Sequence, residues 1–237
     1  MEVKYFDSLP STNRAAAEAA REGAGEFYTV VAREQTAGRG RLDRRFFSPA
    51  GGIYMSVVLR PTLPPSEYPL ITPTAAVAVH RAIANVTRVK TEIKWVNDLL
   101  LCGKKVCGIL AESGTDQSGS PFVILGIGIN AAPVDFPPEL KESATYLPCE
   151  DKSALIGAIL AELSGYEGVI KENGWYDYYR EHCAFLGEPV LVMRAGETKR
   201  GIALDVLSDG ALRVLLEGDR IEDLRGGEIS LRAAQID

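Results

Sequence analysis

The sequence changes character once, near residue 186, and this change constrains the fold more than any other feature. Before it, helix-like and strand-like segments are mixed. Helix-favouring stretches lie at 15–21, 73–85 and 152–173, and a further helical stretch at 175–182. Strand-like runs lie at 28–33, 53–60 and 122–130. After Gly187 only short strand-like runs follow, at 189–193, 198–206, 211–216, 220–223 and 228–231. Turn formers separate them: Ala195-Gly196, Ser208-Asp209-Gly210, Glu217-Gly218-Asp219 and Gly226-Gly227. Intermingled helix and strand periods predict an α+β domain over 1–185. Evenly spaced short strands with turns predict a small antiparallel β-barrel over 186–237.

Within the first domain, Ser11 or Thr12 is placed to cap the first helix, and Gly23 and Gly25 to end it. Residues 34–49 form a long polar loop, of a length that in compact domains is usually functional. Residues 61–69 are a proline-rich turn. Three further strands are expected at 92–95, 98–102 and 105–112. Strict alternation in the last would put Lys105 and Cys107 on one face and Val106 on the other.

Several function classes are disfavoured. No apolar run reaches the roughly 18 residues a membrane helix needs, and the N-terminus lacks the basic start and apolar core of a signal peptide. The four cysteines form no Cys-x-x-Cys pair, which predicts reduced thiols and a cytoplasmic protein. A net charge of −6 argues against a general nucleic-acid binder. With two histidines in the chain, imidazole-based catalysis is disfavoured, and His80, in an apolar helix, reads as a packing residue.

Against that acidic background, residues 39–45 carry four arginines and one aspartate. Gly38 and Gly40 let the backbone wrap closely around a ligand, and Arg39, Arg41 and Arg44 supply forked donors for carboxylate or phosphate oxygens. A solvated basic loop is the plainer reading; the alternation of glycine with arginine favours handling of a small anion. The segment is no Walker A site, since Gly103-Lys104-Lys105 has neither the upstream glycine nor the following Ser/Thr. Lys94-Trp-Val-Asn-Asp98 falls between two strands: Asp98 could hold Mg²⁺ and Lys94 could offset phosphate charge, or the segment is simply a polar turn.

Six segments together resemble the biotin protein ligase family, in that family's order: Ser11-Thr-Asn13; Gly38-Arg-Gly-Arg41 with Ser48-Pro49; Lys94-Trp-x-Asn-Asp98; Lys105-x-x-Gly-Ile-Leu110; Gly126-x-Gly-Ile-Asn130; and Gly227-Glu-Ile-Ser-Leu-Arg232. The resemblance implies a central mixed β-sheet with flanking helices, the class II synthetase-like catalytic domain shared with lipoate ligases, followed by an SH3-like barrel. It implies ATP and Mg²⁺ as co-substrate and ion, and biotin as substrate. Ser11, Thr12, Asn13 and Gln35 would hydrogen-bond biotin, mainly its ureido ring. Gly38, Arg39, Gly40 and Arg41 would close over the biotin carboxylate and the adenylate phosphate, with Arg44 in the same loop. Lys105 would meet the reacting carboxylate or phosphate, completing a catalytic set with Arg39 and Arg41, and Gly108 would line the biotin pocket. Phe46 would flank the adenine. Asn97, Asp98 and Asn130 would serve the nucleotide or its Mg²⁺, with Asp98 the metal ligand, and Arg232 would reach ATP. Val96 replaces the family's usual proline, and Asp43 stands where some members have glycine.

The implied reaction makes biotinyl-5′-AMP and pyrophosphate, then passes biotin to a lysine of a biotin carboxyl carrier domain. Such chemistry needs positioning and charge neutralisation rather than a protein nucleophile. Mutual repulsion in the arginine loop predicts a mobile segment that orders on binding. Ser11 lies so near Met1 that no winged helix is expected ahead of it, hence no operator binding; a homodimer is allowed. The competing readings are a lipoate or other acyl-protein ligase of the same fold, and a non-catalytic nucleic-acid-binding protein.

Overall fold

The computed structural model describes residues 1–41, 44–194 and 197–225, with the backbone of 229–233. Its first part contains β1 (Glu2–Leu9), α1 (Thr12–Arg21), β2 (Tyr28–Gln35) and β3 (Ile53–Leu59). A 3₁₀ turn at Pro65–Leu70 leads to α2 (Ile71–Thr87). Then come β4 (Glu92–Lys94), β5 (Asp98–Leu101), β6 (Lys104–Thr115), β7 (Pro121–Ile129), α3 (Lys152–Leu163), α4 (Tyr166–Lys171) and α5 (Tyr176–Glu181). The strands form one seven-stranded sheet in the order β1-β2-β3-β7-β6-β5-β4. β1 runs parallel to β2, and every other neighbouring pair is antiparallel, so the sheet is mixed as expected.

Two elements differ from expectation. β1 gave no sequence signal: it is an edge strand, exposed along most of its length, so burial imposes no alternation on it. The helix expected over 152–173 is two helices, interrupted at Ser164 and Gly165. Glycine weakens a helix interior through its backbone freedom, and the chain turns there.

The two faces of the sheet are covered unequally. One face carries Val31, Met55, Val57, Ile109, Leu125 and Ile127, buried together with α2 to α5 in the main core. On the opposite face α1 is the one helix among the described residues, and its Ala16 and Ala20 pack on Val30, Val58, Phe122 and Ile124. Arg60 ties down the end of that helix, donating to the carbonyls of Ala20 at 2.9 Å and Ala24 at 3.0 Å while its Nη1 pairs with Asp116 at 2.8 Å. A ten-residue helix is about 15 Å long. It cannot cover the whole face, and the uncovered part lies at its N-terminus.

The C-terminal part consists of β8 (Pro189–Arg194), β9 (Glu197–Val206), β10 (Leu212–Leu216), β11 (Arg220–Leu224) and β12 (Ile229–Ala233), antiparallel in the order β11-β10-β9-β8-β12. The five strands fall where the spacing placed them, as do the turns at Ser208-Asp209-Gly210 and Glu217-Gly218-Asp219, while the turns expected at Ala195-Gly196 and Gly226-Gly227 lie outside the described residues. Closure into a barrel is not seen: β11 and β12 are opposite edges and do not pair among the described residues. Trp95 Nε1 donates to the Gly210 carbonyl at 3.0 Å, and Arg180 forks onto Asp205 at 2.6 and 3.1 Å, fastening this sheet to the first part. Arg232 lies in β12 opposite Leu191, but its side chain, like all of Asp43, is outside the described residues. All four cysteines are free, and among the described residues no helix is long and apolar enough to cross a membrane.

His80 is the packing residue that its helix implied. Its Nε2 donates to the Thr91 carbonyl at 2.8 Å, which leaves Nδ1 to accept from the Tyr178 hydroxyl at 3.0 Å. Burial pushes its pKa down, against an upward pull from the Thr91 carbonyl. The unfolded chain therefore takes up the proton more readily than the folded one. The stability this histidine contributes is fully present above its unfolded pKa, about 6.5, and is lost as pH falls below it. In thermal melts between about pH 7.5 and about pH 5.5, wild type should lose more of its melting temperature than His80→Gln does.

Candidate active site

The open part of the α1 face is floored by glycines. Ser56, Gly126 and Leu110 are paired across β3, β7 and β6, and Tyr54, Gly128 and Gly108 form the next row. A side chain at Gly128 would come within 2.6 Å of Phe46 Cε1, and one at Gly126 would overlap the Asn13 amide. The Gly-x-Gly of β7 is thus a space requirement: Asn13 and Phe46 lie directly on the sheet backbone. Phe46 meets Tyr54 edge-on, with ring centroids 6.4 Å apart.

One wall is the start of α1. Ser11 occupies the N-cap position, yet neither it nor Thr12 makes a capping bond. The Thr12 and Asn13 side chains are instead engaged sideways. Gln35 Oε1 accepts from the Thr12 amide at 2.8 Å and from its hydroxyl at 3.1 Å. Gln35 Nε2 donates to Ser48 Oγ at 2.9 Å, and Ser48 Oγ donates to the Phe46 carbonyl at 2.9 Å. Ser56, fully buried on β3, lies within donating distance of both Thr12 Oγ1 (2.8 Å) and Asn13 Oδ1 (2.6 Å). Thr12 and Asn13 therefore belong to a polar cluster facing the cleft, and Ser11, without a capping bond, lines the cleft beside them.

The opposite wall depends on a β-bulge. Leu99 pairs with Cys107 but Leu100 with Lys105, leaving Val106 as an extra residue in β6. Val106 and Cys107 are both buried in the main core, and Lys105 is turned to the cleft side with Gly108. This overturns the strict alternation expected from the sequence: the inserted residue shifts the pleat, as bulges beside active sites do. Burial pushes the Cys107 thiol up, so it stays protonated. Lys105 Nζ stands 2.6 Å from Asp98 Oδ1 and 5.5 Å from the centre of the Phe46 ring. That Asp98 oxygen is an ion-pair partner but has no aligned hydrogen-bond donor among the described residues.

The arginine loop forms the roof. Its arms are joined where Phe46 N donates to the Gly38 carbonyl at 2.9 Å and Gly40 N to the Arg44 carbonyl at 2.8 Å. Arg39 Nη1 pairs with Glu112 at 3.1 Å, Arg41 Nη1 donates to Asn97 Oδ1 at 3.0 Å, and Arg45 Nη2 donates to the Thr36 carbonyl at 3.1 Å. The expected charge repulsion is thus offset by acceptors around the loop. Desolvation lowers the Arg41 pKa while Asp98 raises it; a guanidinium stays charged regardless.

These walls enclose about 170 Å³. Ser11, Thr12, Asn13, Gln35, Arg39, Gly40, Arg41, Arg44, Phe46, Asn97, Asp98, Lys105 and Gly108 all line it. Gly38 lies beneath, where a Cβ would come within 2.5 Å of the Phe46 carbonyl and Ser48 Oγ. Asn130 is not on the lining: its Nδ2 donates to the Thr145 carbonyl at 3.0 Å, and it pins the loop after β7. Lys94, Trp95 and Arg45 also line the cleft; of these the sequence suggests a role, as a phosphate partner, for Lys94 alone. Ser56 and Glu112 carried no motif signal at all.

Comparison with known proteins gives matches to both parts of the chain. Residues 5–130 match the model of the biotin/lipoate A/B protein ligase family, and residues 185–232 that of the biotin protein ligase C-terminal domain. The chain is 34% identical over 219 residues to the biotin–[acetyl-CoA-carboxylase] ligase of Paracoccus denitrificans, covering 85% of this chain and 89% of that one. It is 47% identical over 146 residues to the bifunctional ligase/repressor BirA of Bacillus subtilis; that match spans 60% of this chain but only 45% of BirA. The biotin protein ligase of Aquifex aeolicus, solved with biotin and ATP, superposes with a TM-score of 0.82 at 27% identity, over 98% of this chain and 99% of the other.

The floor can be tested without any ligand. Gly128→Ala should cost about 1–3 kcal/mol in urea unfolding, because Phe46 must move. Gly168→Ala, in α4 with open space around it, should instead stabilise by about 0.5–1 kcal/mol.

Proposed function

Because the chain belongs to the biotin protein ligase family, we propose that it activates biotin with ATP as biotinyl-5′-AMP and transfers the biotin to a lysine of a biotin carboxyl carrier domain. One observation carries this reading. A neutral cluster rich in donors and acceptors (Thr12, Asn13 and Gln35, backed by the buried Ser56) and a cationic cluster (Arg39, Arg41, Lys105) share one narrow cleft, and its described lining contains no histidine or cysteine. That inventory suits a ligand with a neutral polar head and an anionic tail. It also suits a reaction needing charge neutralisation rather than a protein nucleophile.

In the first step a biotin carboxylate oxygen forms a bond to the α-phosphorus of ATP, the bond to the bridging β-phosphate oxygen breaks, and pyrophosphate leaves. Both reactants are anions, so the cations do the work. Lys105, Arg39 and Arg41 hold carboxylate and phosphate oxygens together and neutralise them as charge shifts to the leaving group. Asn97 and Asp98 stand on the same wall, and Phe46 and Arg44 offer a flat ring and a further cation to the nucleotide. Asp98, whose buried Oδ1 has the Lys105 ammonium beside it but no aligned hydrogen-bond donor, is the carboxylate that would hold a Mg²⁺ ion brought with the nucleotide. Bound there, the ion supplies further charge neutralisation. In the second step the acceptor amine forms a bond to the acyl carbon, the acyl–phosphate bond breaks, and AMP leaves with the amine proton passing to solvent. The roof of Arg39–Arg41 keeps water from the mixed anhydride until then.

Residues 1–185 are read as the catalytic unit. Residues 186–237 are read as an appended SH3-like domain, on their strand number and order. The outer edge of β1, with exposed Tyr5 and Phe6, offers a pairing surface for a second copy.

Incubation of the protein with ATP, Mg²⁺, biotin and a purified carrier domain should add the mass of one biotinyl group to the carrier. Pyrophosphate release with lipoate and none with biotin would overturn the proposal. Lys105→Met should slow biotin-dependent pyrophosphate release by about 10²- to 10³-fold while leaving the melting temperature near wild type. Arg39→Ala should instead let the adenylate escape, read as biotinyl-AMP free in solution.

A further inference from the structure

We infer that Glu112, which does not line the cleft, is a positioning residue that couples its two ends: it fixes the donor direction of Asn13 and holds Arg39 until an anionic substrate takes its place. The inference rests on the ligase reading above for what the substrate is, and on contacts within this chain for everything else.

Glu112 lies on β6, on the cleft face, two residues beyond Leu110. Its two carboxylate oxygens go to different partners. Oε2 is 2.7 Å from Asn13 Nδ2, and Oε1 is 3.1 Å from Arg39 Nη1. An ionised carboxylate only accepts hydrogen bonds. It therefore forces the nitrogen end of the Asn13 amide toward itself, while Ser56 donates to the oxygen end at 2.6 Å. With both ends fixed, Asn13 has one remaining polar hydrogen to offer, and it is a donor. Across the wall Gln35 presents its oxygen to Thr12. A cyclic urea displays one acceptor flanked by two donors, so a wall of fixed polarity distinguishes it from ligands lacking that pattern.

The other oxygen acts on the roof. Arg39 is 52% and Glu112 32% exposed, so their ion pair is solvent-screened and weak. Such a pair exchanges readily. A substrate carboxylate or phosphate offers Arg39 two oxygens at once and is the stronger partner. From Glu112 the contacts run through Asn13, Ser56, Thr12, Gln35 and Ser48 back to Phe46 in the same loop. The roof is thus held at both ends by the residues that face the ligand head.

Glu112→Gln keeps the shape, removes the charge and introduces a donor. It should raise the KM for biotin about tenfold or more and shorten adenylate retention, leaving the KM for ATP within about twofold. In the ligand-free protein, trypsin should cut after Arg39 or Arg41 about threefold faster. Glu112→Asp, which keeps the charge but is one methylene shorter, should recover part of each effect. A wild-type biotin KM together with a wild-type trypsin rate in Glu112→Gln would overturn the inference. Were the wild-type enzyme to show no biotin turnover, the ligase reading would fall, and the trypsin comparison would still decide whether Glu112 holds the loop. Should Glu112→Gln melt well below wild type, Glu112→Asp carries the same two measurements.

Discussion

A seven-stranded sheet whose one face is covered by a single ten-residue helix has to leave part of that face open. The rest of the molecule follows from that constraint. The other face is sealed by four helices and makes the main core. On the open side the sheet itself becomes a floor, flat where β6 and β7 carry glycine. The helix that falls short turns its N-terminal residues into a wall, and the long loop between β2 and β3 becomes the roof. The roof and the N-terminal end of the wall are held largely by hydrogen bonds and ion pairs over a backbone surface that the core keeps rigid, with Phe46 set against Tyr54.

That division of labour suits the proposed chemistry. Joining a carboxylate to a phosphate brings two anions together, and the cost is electrostatic. Cations on rigid strands, such as Lys105, hold a fixed position, whereas cations on a hydrogen-bonded loop can change partners. The three cations assigned to the reacting centre are engaged within the protein: Lys105 with Asp98, Arg39 with Glu112, Arg41 with Asn97. Substrate binding is then an exchange of partners rather than the burial of bare charge, which keeps the desolvation penalty small.

Much of the site was legible in the sequence because it is written in short segments. Ser11-Thr-Asn13, Gly38-Arg-Gly-Arg41 and the Gly-x-Gly of β7 each report a local demand: a helix start, a tight backbone, a missing Cβ. Most strands of the first part and the five C-terminal strands were legible through hydrophobic period and turn residues, whereas the mixed sheet was implied only by the family resemblance. β1 was not, since an exposed edge strand has no buried face to pattern it. Nor was the break at Gly165, because helix propensity on both sides favoured continuation.

What the sequence determined by itself is the inventory: which residues are flexible, charged or apolar, and the elements those properties favour over a few consecutive positions. The tertiary structure alone decided partners and directions. Lys105 reaches the cleft because a register shift against β5 makes Val106 an extra residue, and no period within β6 announces it. Asn130 belongs to the Gly-Ile-Asn segment yet serves the loop at Thr145, because the chain bends away from the floor after β7. Glu112 meets Asn13 across 99 positions of sequence. Hydrogen bonds act over about 3 Å, and only the folded sheet sets which distant residues come that close.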